Sequence, residues 1–263
     1  MNVNYSMFYQ CSCSQRGGAI FFFSTNSYLK MICANRCSCG ASSWCHFACL
    51  AASLMNRVEY LSVSNCSYST SGSFSLYLYI GYEIIDSTNS SMNNANGVSG
   101  VFIDAPSSFT SSYCTFSNNK AADSTCIYFY STSGIISMSF ANIVHNNSPL
   151  QYGVVFLYGG TSRMLYCIFH NNSNYLFYVN AGSLEVSHSH LDHSLLSFST
   201  KTAVSTAINN SFSFRMTHQL QFFSSFHCNA DIPIIEQQQL YTINQSNMKP
   251  YSFLYLMIIL MIS

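Results

Sequence analysis

Charge is what this sequence has least of. Asp, Glu, Lys and Arg make up 7% of the 263 residues, where a globular chain usually carries about 25%. Nine basic side chains balance nine acidic ones, so the electrostatic footprint of a nucleic-acid-binding protein is missing. Proline occurs four times and tryptophan once. No C-x2-C pair occurs, which leaves the paired knuckles of structural zinc sites without their ligands. Helical periodicity is nowhere sustained, and the twelve residues from Trp44 to Met55 are the best helix candidate. The opening stretch MNVNYSMFYQCSC has no basic region leading into an apolar one, so it does not read as a signal peptide.

What fills the space left by charge is polar but uncharged. The chain holds 47 Ser, 24 Asn and 13 Thr beside a 49% hydrophobic and 16% aromatic fraction. Aromatic interiors with Ser/Asn exteriors suit strands better than helices. Seven of the twelve cysteines fall before residue 50; they read as buried thiols, or as disulfides in an exported chain. After Lys249 and Pro250 no charge follows, and Tyr251 to Ile262 form an apolar run of twelve residues. A helical membrane span needs roughly 20. The run reads either as a transmembrane helix cut short or as a terminal segment packed on the body. Membrane association through Tyr251–Ile262 is the expectation carried forward.

A repeat organises the rest. YCTFSNN at 113–119 recurs as YCIFHNN at 166–172, with NIVHNN at 142–147 between them. A weaker copy, SHLDHS at 189–194, puts Leu191 where Phe169 stood. Other strand signals alternate with these copies: AIFFFS (19–24), FSLYLYI (74–80), CIYFYS (126–131), VVFLY (154–158) and YLFYV (175–179). In 74–80, Leu76, Leu78 and Ile80 share one face and Tyr77 and Tyr79 the other. Short strands repeating every 20–28 residues, about eight times, describe the rungs of a parallel β-helix. Stacked rungs place like residues in ladders; like charges there would repel, whereas Asn amides and aromatic rings attract. Asn also tolerates the left-handed conformation of a tight corner. The expected fold is therefore all-β, a single-stranded right-handed parallel β-helix solenoid. Its expected parts are a Cys-rich portion at 1–50, repeats at 51–215, an irregular segment at 216–248 and the apolar end at 249–263. Cys114 and Cys167 should occupy equivalent positions two rungs apart, too far for a disulfide.

GGAI at 17–20 and the F-x-x-N pattern of Phe116–Asn119 and Phe169–Asn172 resemble the repeats of polymorphic outer-membrane proteins. Val144–Asn147 and Phe8–Cys11 read as degenerate copies. More broadly, residues 8–215 resemble the right-handed, pectin-lyase-like β-helix proteins. The resemblance implies a cell-surface protein engaged in adhesion, with cell-surface proteins or glycans as partners. A truncated copy of a larger repeat protein is a further reading.

Three constellations carry possible chemistry. In SHSHLDHS (187–194), His188, His190, Asp192 and His193 resemble the H-x-H-x-D-H pattern of metallo-β-lactamase-fold hydrolases, which would imply zinc. The motif shares its rung position with YCIFHNN, so it is expected as an outward polar ladder, with no metal, cofactor or catalytic residue assigned. Carbohydrate-active β-helix enzymes gather carboxylates with Arg or Lys on one sheet face. Here Glu59, Glu83, Asp86, Asp104, Asp123, Glu185, Asp192, Asp231 and Glu236 look scattered, with no two at matching positions of adjacent rungs. Tyr77, Tyr79, Tyr128, Tyr130 and Tyr158 are expected on the outer face of their strands, where rings can act as stacking platforms for sugars. The leading reading is a non-enzymatic interaction protein; the alternative is a polysaccharide lyase or glycosidase.

Overall fold

The computed structural model describes residues 1–40, 44–66, 72–130, 134–149, 152–173, 175–191, 199–200 and 206–209. All lie in the first of the two units into which the chain divides, Met1–Ala230 and Asp231–Ser263. The terminal run 251–262, the segment 216–248, Asp192 and His193 fall outside the described residues. Among the described residues there is no helix; parallel strands stack as a β-solenoid of about seven turns. That is close to the eight rungs expected and consistent with a right-handed β-helix. Tyr9, Asn35, Ser64, Ser91, Ser117, Val144 and His170 are successive register partners, and Phe169 pairs with Leu191. A turn therefore spans 22 to 29 residues.

Each full turn crosses three faces. Face 1 holds the anticipated aromatic strands, including Phe74–Tyr79, Val98–Asp104, Ile127–Tyr130, Val155–Tyr158 and Phe177–Asn180. Face 2 includes residues 26–30, 55–59, Tyr82–Asp86, Ser108–Ser112, Ile135–Ser139, Thr161–Leu165 and Ser183–Ser187. Face 3 carries the F-x-x-N repeats on Asn89–Ser91, Thr115–Ser117, Asn142–Val144, Ile168–His170 and His190–Leu191. The helix candidate at Trp44–Met55 is instead part of the strand Cys45–Ser64. There Ala48 and Leu50 face inward while Cys49 and Ala51 are buried on the outer side. A strand buried on both sides reads as a continuous apolar run, which hides its alternation.

Single residues in the left-handed region turn the chain between faces. One corner is Tyr5, Met31, Tyr60, Ser87, Tyr113, Phe140, Tyr166 and His188, with φ from 49 to 55°. The next is Gln10, Arg36, Asn65, Met92, Asn118, His145 and Asn171. Each left-handed non-glycine residue costs roughly 1–2 kcal/mol. The cost is met without breaking the ladder: the Asn65, Met92 and Asn118 amides still donate to Ser91, Ser117 and Val144 on the next turn. Asn occupies only some corners. Elsewhere the exposed or half-buried side chains stack, as in Tyr113 on Phe140 at 5.2 Å, Phe140 on Tyr166 at 5.1 Å and Tyr166 on His188 at 5.1 Å. Ile80 is itself a corner residue, so it leaves the face shared by Leu76 and Leu78.

The F-x-x-N spacing now has a physical cause. Phe116 and Phe169 fill the core from face 3, Asn118 and Asn171 make the left-handed corner, and Asn119 and Asn172 turn inward. Asn93, Asn119, Asn146 and Asn172 are buried in one column. The backbone amides of Cys66, Asn93, Asn119 and Asn146 each donate to the Oδ1 of the Asn one turn on, at 2.8–3.1 Å. The four Nδ2 groups donate to the carbonyls of Val63, Ser90, Phe116 and Ile143, at 2.7–3.1 Å. The intermediate copy is thus Ile143–Asn146, one residue earlier than the Val144–Asn147 match. Upstream the column continues as thiols: Cys66 Sγ points to the Ala34 carbonyl at 3.9 Å and Cys37 Sγ to the Phe8 carbonyl at 3.5 Å. Amide and thiol occupy the same place in the same device. Cys114 and Cys167 stand in a neighbouring column with Ala141 between them, and both are free thiols, as their two-turn separation requires.

Candidate functional site: an aromatic face with one carboxylate

The outer side of face 1 carries two columns of side chains. The first runs Phe21, Cys49, Tyr77, Phe102, Tyr128, Phe156, Tyr178; the second runs Phe23, Ala51, Tyr79, Asp104, Tyr130, Tyr158, Asn180. All five tyrosines singled out from sequence are here. In-register pairing sets the ring spacing: Phe102 stacks on Tyr128 at 4.7 Å, Tyr128 on Phe156 at 4.5 Å and Tyr130 on Tyr158 at 4.9 Å. At this end of the range, offset ring stacking adds to area burial. Tyr77, Phe102 and Phe156 are buried although they point outward, while Tyr79, Asp104, Tyr130 and Tyr158 are half-buried.

Asp104 is the acidic residue of this face. The Tyr77 hydroxyl donates to its Oδ2 at 2.6 Å. Burial pushes the Asp104 carboxyl above its ordinary value, against the pull of the Tyr77 hydrogen bond. Burial and the Asp104 charge together push the Tyr77 phenol up. None of the ion pairs among the described residues involves Asp104.

A second cluster lies on face 2. Glu59 and Asp86 are register partners on adjacent turns, which corrects the expectation that no two acidic residues match; the 27-residue step between them could not be counted from turns of unequal length. Arg57 Nε donates to Glu59 Oε1 at 2.6 Å, and its Nη2 also contacts that oxygen. The Tyr28 hydroxyl donates to Oε2 at 2.8 Å and Lys30 Nζ lies 3.7 Å from it. Burial raises the Glu59 pKa, but the Tyr28 hydroxyl and Arg57 guanidinium outweigh it and hold the carboxyl below its usual range. Asp86 accepts from Ser112 and, at 3.2 Å, from Ser87. Two carboxylates and two cations therefore meet on one sheet face, as a carbohydrate-active site requires by position. By chemistry Glu59 is poorly suited to the acid role, since an acid catalyst must stay protonated and its hydroxyl and cation partners hold Glu59 below the usual carboxylate range. The carboxyl that is kept protonated, Glu83, projects into the core from the same strand as Asp86.

The histidine motif is divided by a corner. His188 has φ 51° and is exposed, stacked on Tyr166. Ser189 turns inward, accepting from the Cys167 amide at 2.9 Å. His190 begins the next strand, paired with Ile168. The outward ladder expected of this motif presumed an unbroken strand; the left-handed residue sends His188 away from His190's face. No group of three or more His, Cys, Asp or Glu is arranged to hold a metal among the described residues.

No protein-family model, curated protein or solved structure matches the chain. No helix of the described residues is long and apolar enough to cross a membrane.

Proposed function

We propose that this chain is a non-catalytic interaction protein of the parallel β-helix class, using the outer side of face 1 to hold a protein partner. The observation that carries this reading is the double column of buried and half-buried aromatic side chains around Asp104. Tyrosine-rich patches supply large contact area at little conformational cost, and they dominate the energetics of protein interfaces. Among the partners considered, proteins suit the face better than glycans. A sugar packs its C–H groups on an open ring face, yet Tyr128 and Phe156 are stacked 4.5 Å apart within 3° of parallel and offer mainly edges. The repeat resemblance to polymorphic outer-membrane proteins and the apolar run at 251–262 support a location at a cell surface or membrane.

The test is adhesion of protein-coated beads to cells. Replacing Tyr79 and Tyr158 with serine should lower bead capture about tenfold. Replacing the exposed Tyr82 and Ile135 of face 2 with serine should leave capture unchanged, with thermal melts confirming that both variants fold. Equal capture by all three proteins would remove face 1 from the reading. The alternative, a carbohydrate-active enzyme, draws on the Glu59–Asp86 pair. It requires release of sugar from a polysaccharide substrate by the intact chain, lost in Glu59→Gln.

A further inference from the structure

Asp104 interrupts an aromatic column. Its register partners are Tyr79 on the turn before and Tyr130 on the turn after, so the two rings stand two rungs apart, about 9–10 Å along the axis. Beyond Tyr130 the next position is filled by another ring, Tyr158, at 4.9 Å, whereas Ala51 and Asn180 are the column's other non-aromatic positions and carry no charge. The short carboxylate therefore leaves a slot. Tyr79 and Tyr130 flank it along the axis, and its floor is the carboxylate held by the Tyr77 hydroxyl at 2.6 Å.

Resting on the proposed role of face 1, we infer that this slot receives a basic side chain, arginine or lysine, from the partner protein. Charge complementarity selects the occupant. A half-buried carboxylate on an aromatic face gains most from a cation that is itself easily stripped of water. A cation centred in the slot would lie about 5 Å from each ring, inside the roughly 6 Å reach of cation–π attraction, with the carboxylate beneath it. Guanidinium also stacks flat on aromatic rings and is weakly hydrated. The chain uses the same pairing elsewhere: Arg16 lies over Trp44 at 4.9 Å and over Phe21 at 5.5 Å. Burial holds the Asp104 carboxyl above its ordinary pKa, and a cation brought beside it would favour its ionised form.

The experiment titrates the full chain with the peptide Gly-Gly-Arg-Gly-Gly, its lysine and citrulline counterparts, and free arginine amide, by calorimetry. The arginine or lysine peptide should bind at least about tenfold more tightly than the uncharged citrulline peptide. Asp104→Asn, which keeps an acceptor for Tyr77, should remove that preference, and Tyr130→Leu should weaken it several-fold. Binding of free arginine amide as tight as the peptide would assign the slot to a small-molecule cation and overturn the side-chain assignment. Equal binding of citrulline, or a preference untouched in Asp104→Asn, would also overturn it. Bead adhesion that depends on Tyr79 and Tyr158 while the basic peptides fail to bind would reject the slot and keep face 1. Peptide binding without face-dependent adhesion would do the reverse.

Discussion

Asn146→Leu is expected to cost about 3–6 kcal/mol of unfolding free energy: the buried Asn119 amide is left without its acceptor, at roughly 1–3 kcal/mol, and Asn119 Nδ2, the Phe116 carbonyl and Asn172 Oδ1 each lose one hydrogen bond, at roughly 0.5–1.5 kcal/mol apiece. Asn146 Oδ1 accepts from the Asn119 amide at 3.1 Å and from Asn119 Nδ2 at 3.2 Å, and its own Nδ2 donates to the Phe116 carbonyl at 2.8 Å. Leucine keeps the branching and the number of heavy atoms while removing the hydrogen bonds, and its bulkier methyls add to the cost rather than offset it. The neighbouring Asn118→Gly provides the contrast. Asn118 is exposed and serves only as a left-handed corner, which glycine also adopts, so its change should stay within about 0.5 kcal/mol. Urea unfolding midpoints at constant m-value decide between them. Similar midpoints for the two variants would mean that the amide column is not what holds the turns together.

The second large effect is on pH. Glu83 points into the solenoid, fully buried; it accepts from Asn56 Nδ2 at 2.9 Å, and its Oε2 meets no partner. Burial pushes its pKa up to about 9, only partly opposed by the Asn56 hydrogen bond. The folded state therefore holds this proton more tightly than the unfolded chain, whose glutamate titrates near about 4.3. The stability this confers is complete below pH of about 4 and is lost progressively as the pH rises towards about 9. At pH 7 the loss is on the order of 3 kcal/mol. Glu83→Gln should recover it and flatten the alkaline limb. On the acid side His46 acts in the opposite sense. Burial lowers its pKa to about 4, so its contribution is present above pH of about 6.5 and fades as pH falls towards 4. Thermal melts from pH 4 to 9 should show the acid limb surviving in Glu83→Gln. An unchanged alkaline limb would place the titration on another group.

How far the sequence reveals this molecule depends on which residues repeat visibly. The face 1 strands were legible because Leu76, Leu78, Tyr77 and Tyr79 alternate without interruption. The pairing of Phe169 with Leu191 was legible because aromatic and aliphatic side chains exchange in a column that needs only apolar volume. The Phe8–Cys11 copy was also in register, since Phe8 pairs with Ala34 at the head of the column that leads to Phe116. What was not legible follows from turns of unequal length. A step of 29 residues from Asn35 to Ser64 and one of 26 from Val144 to His170 defeat counting, so the Glu59–Asp86 pair and the one-residue offset at Asn146 were missed. The shared position of Cys37 and Cys66 with the asparagines was hidden by chemistry, because a thiol and an amide look unlike until both are seen donating to equivalent carbonyls. The slot at Asp104 required the register on both sides of it.

The hydrogen-bonded amide column makes the molecule modular in a way that can be used. Each turn touches only the one before and the one after, so stability is approximately a sum of nearest-neighbour couplings. Asn118 and His145 are equivalent corners, and excision of residues 119–145 would join Asn118 directly to Asn146. The Asn93 amide would then meet Asn146 in place of Asn119, and Phe102 would lie beside Phe156 in place of Tyr128. Asp104 would keep a tyrosine on either side, with Tyr158 moving into the position of Tyr130. A shortened chain is expected to fold with a smaller denaturant m-value and an intact slot, the solenoid closing over the missing turn as a stack of coins closes over one withdrawn.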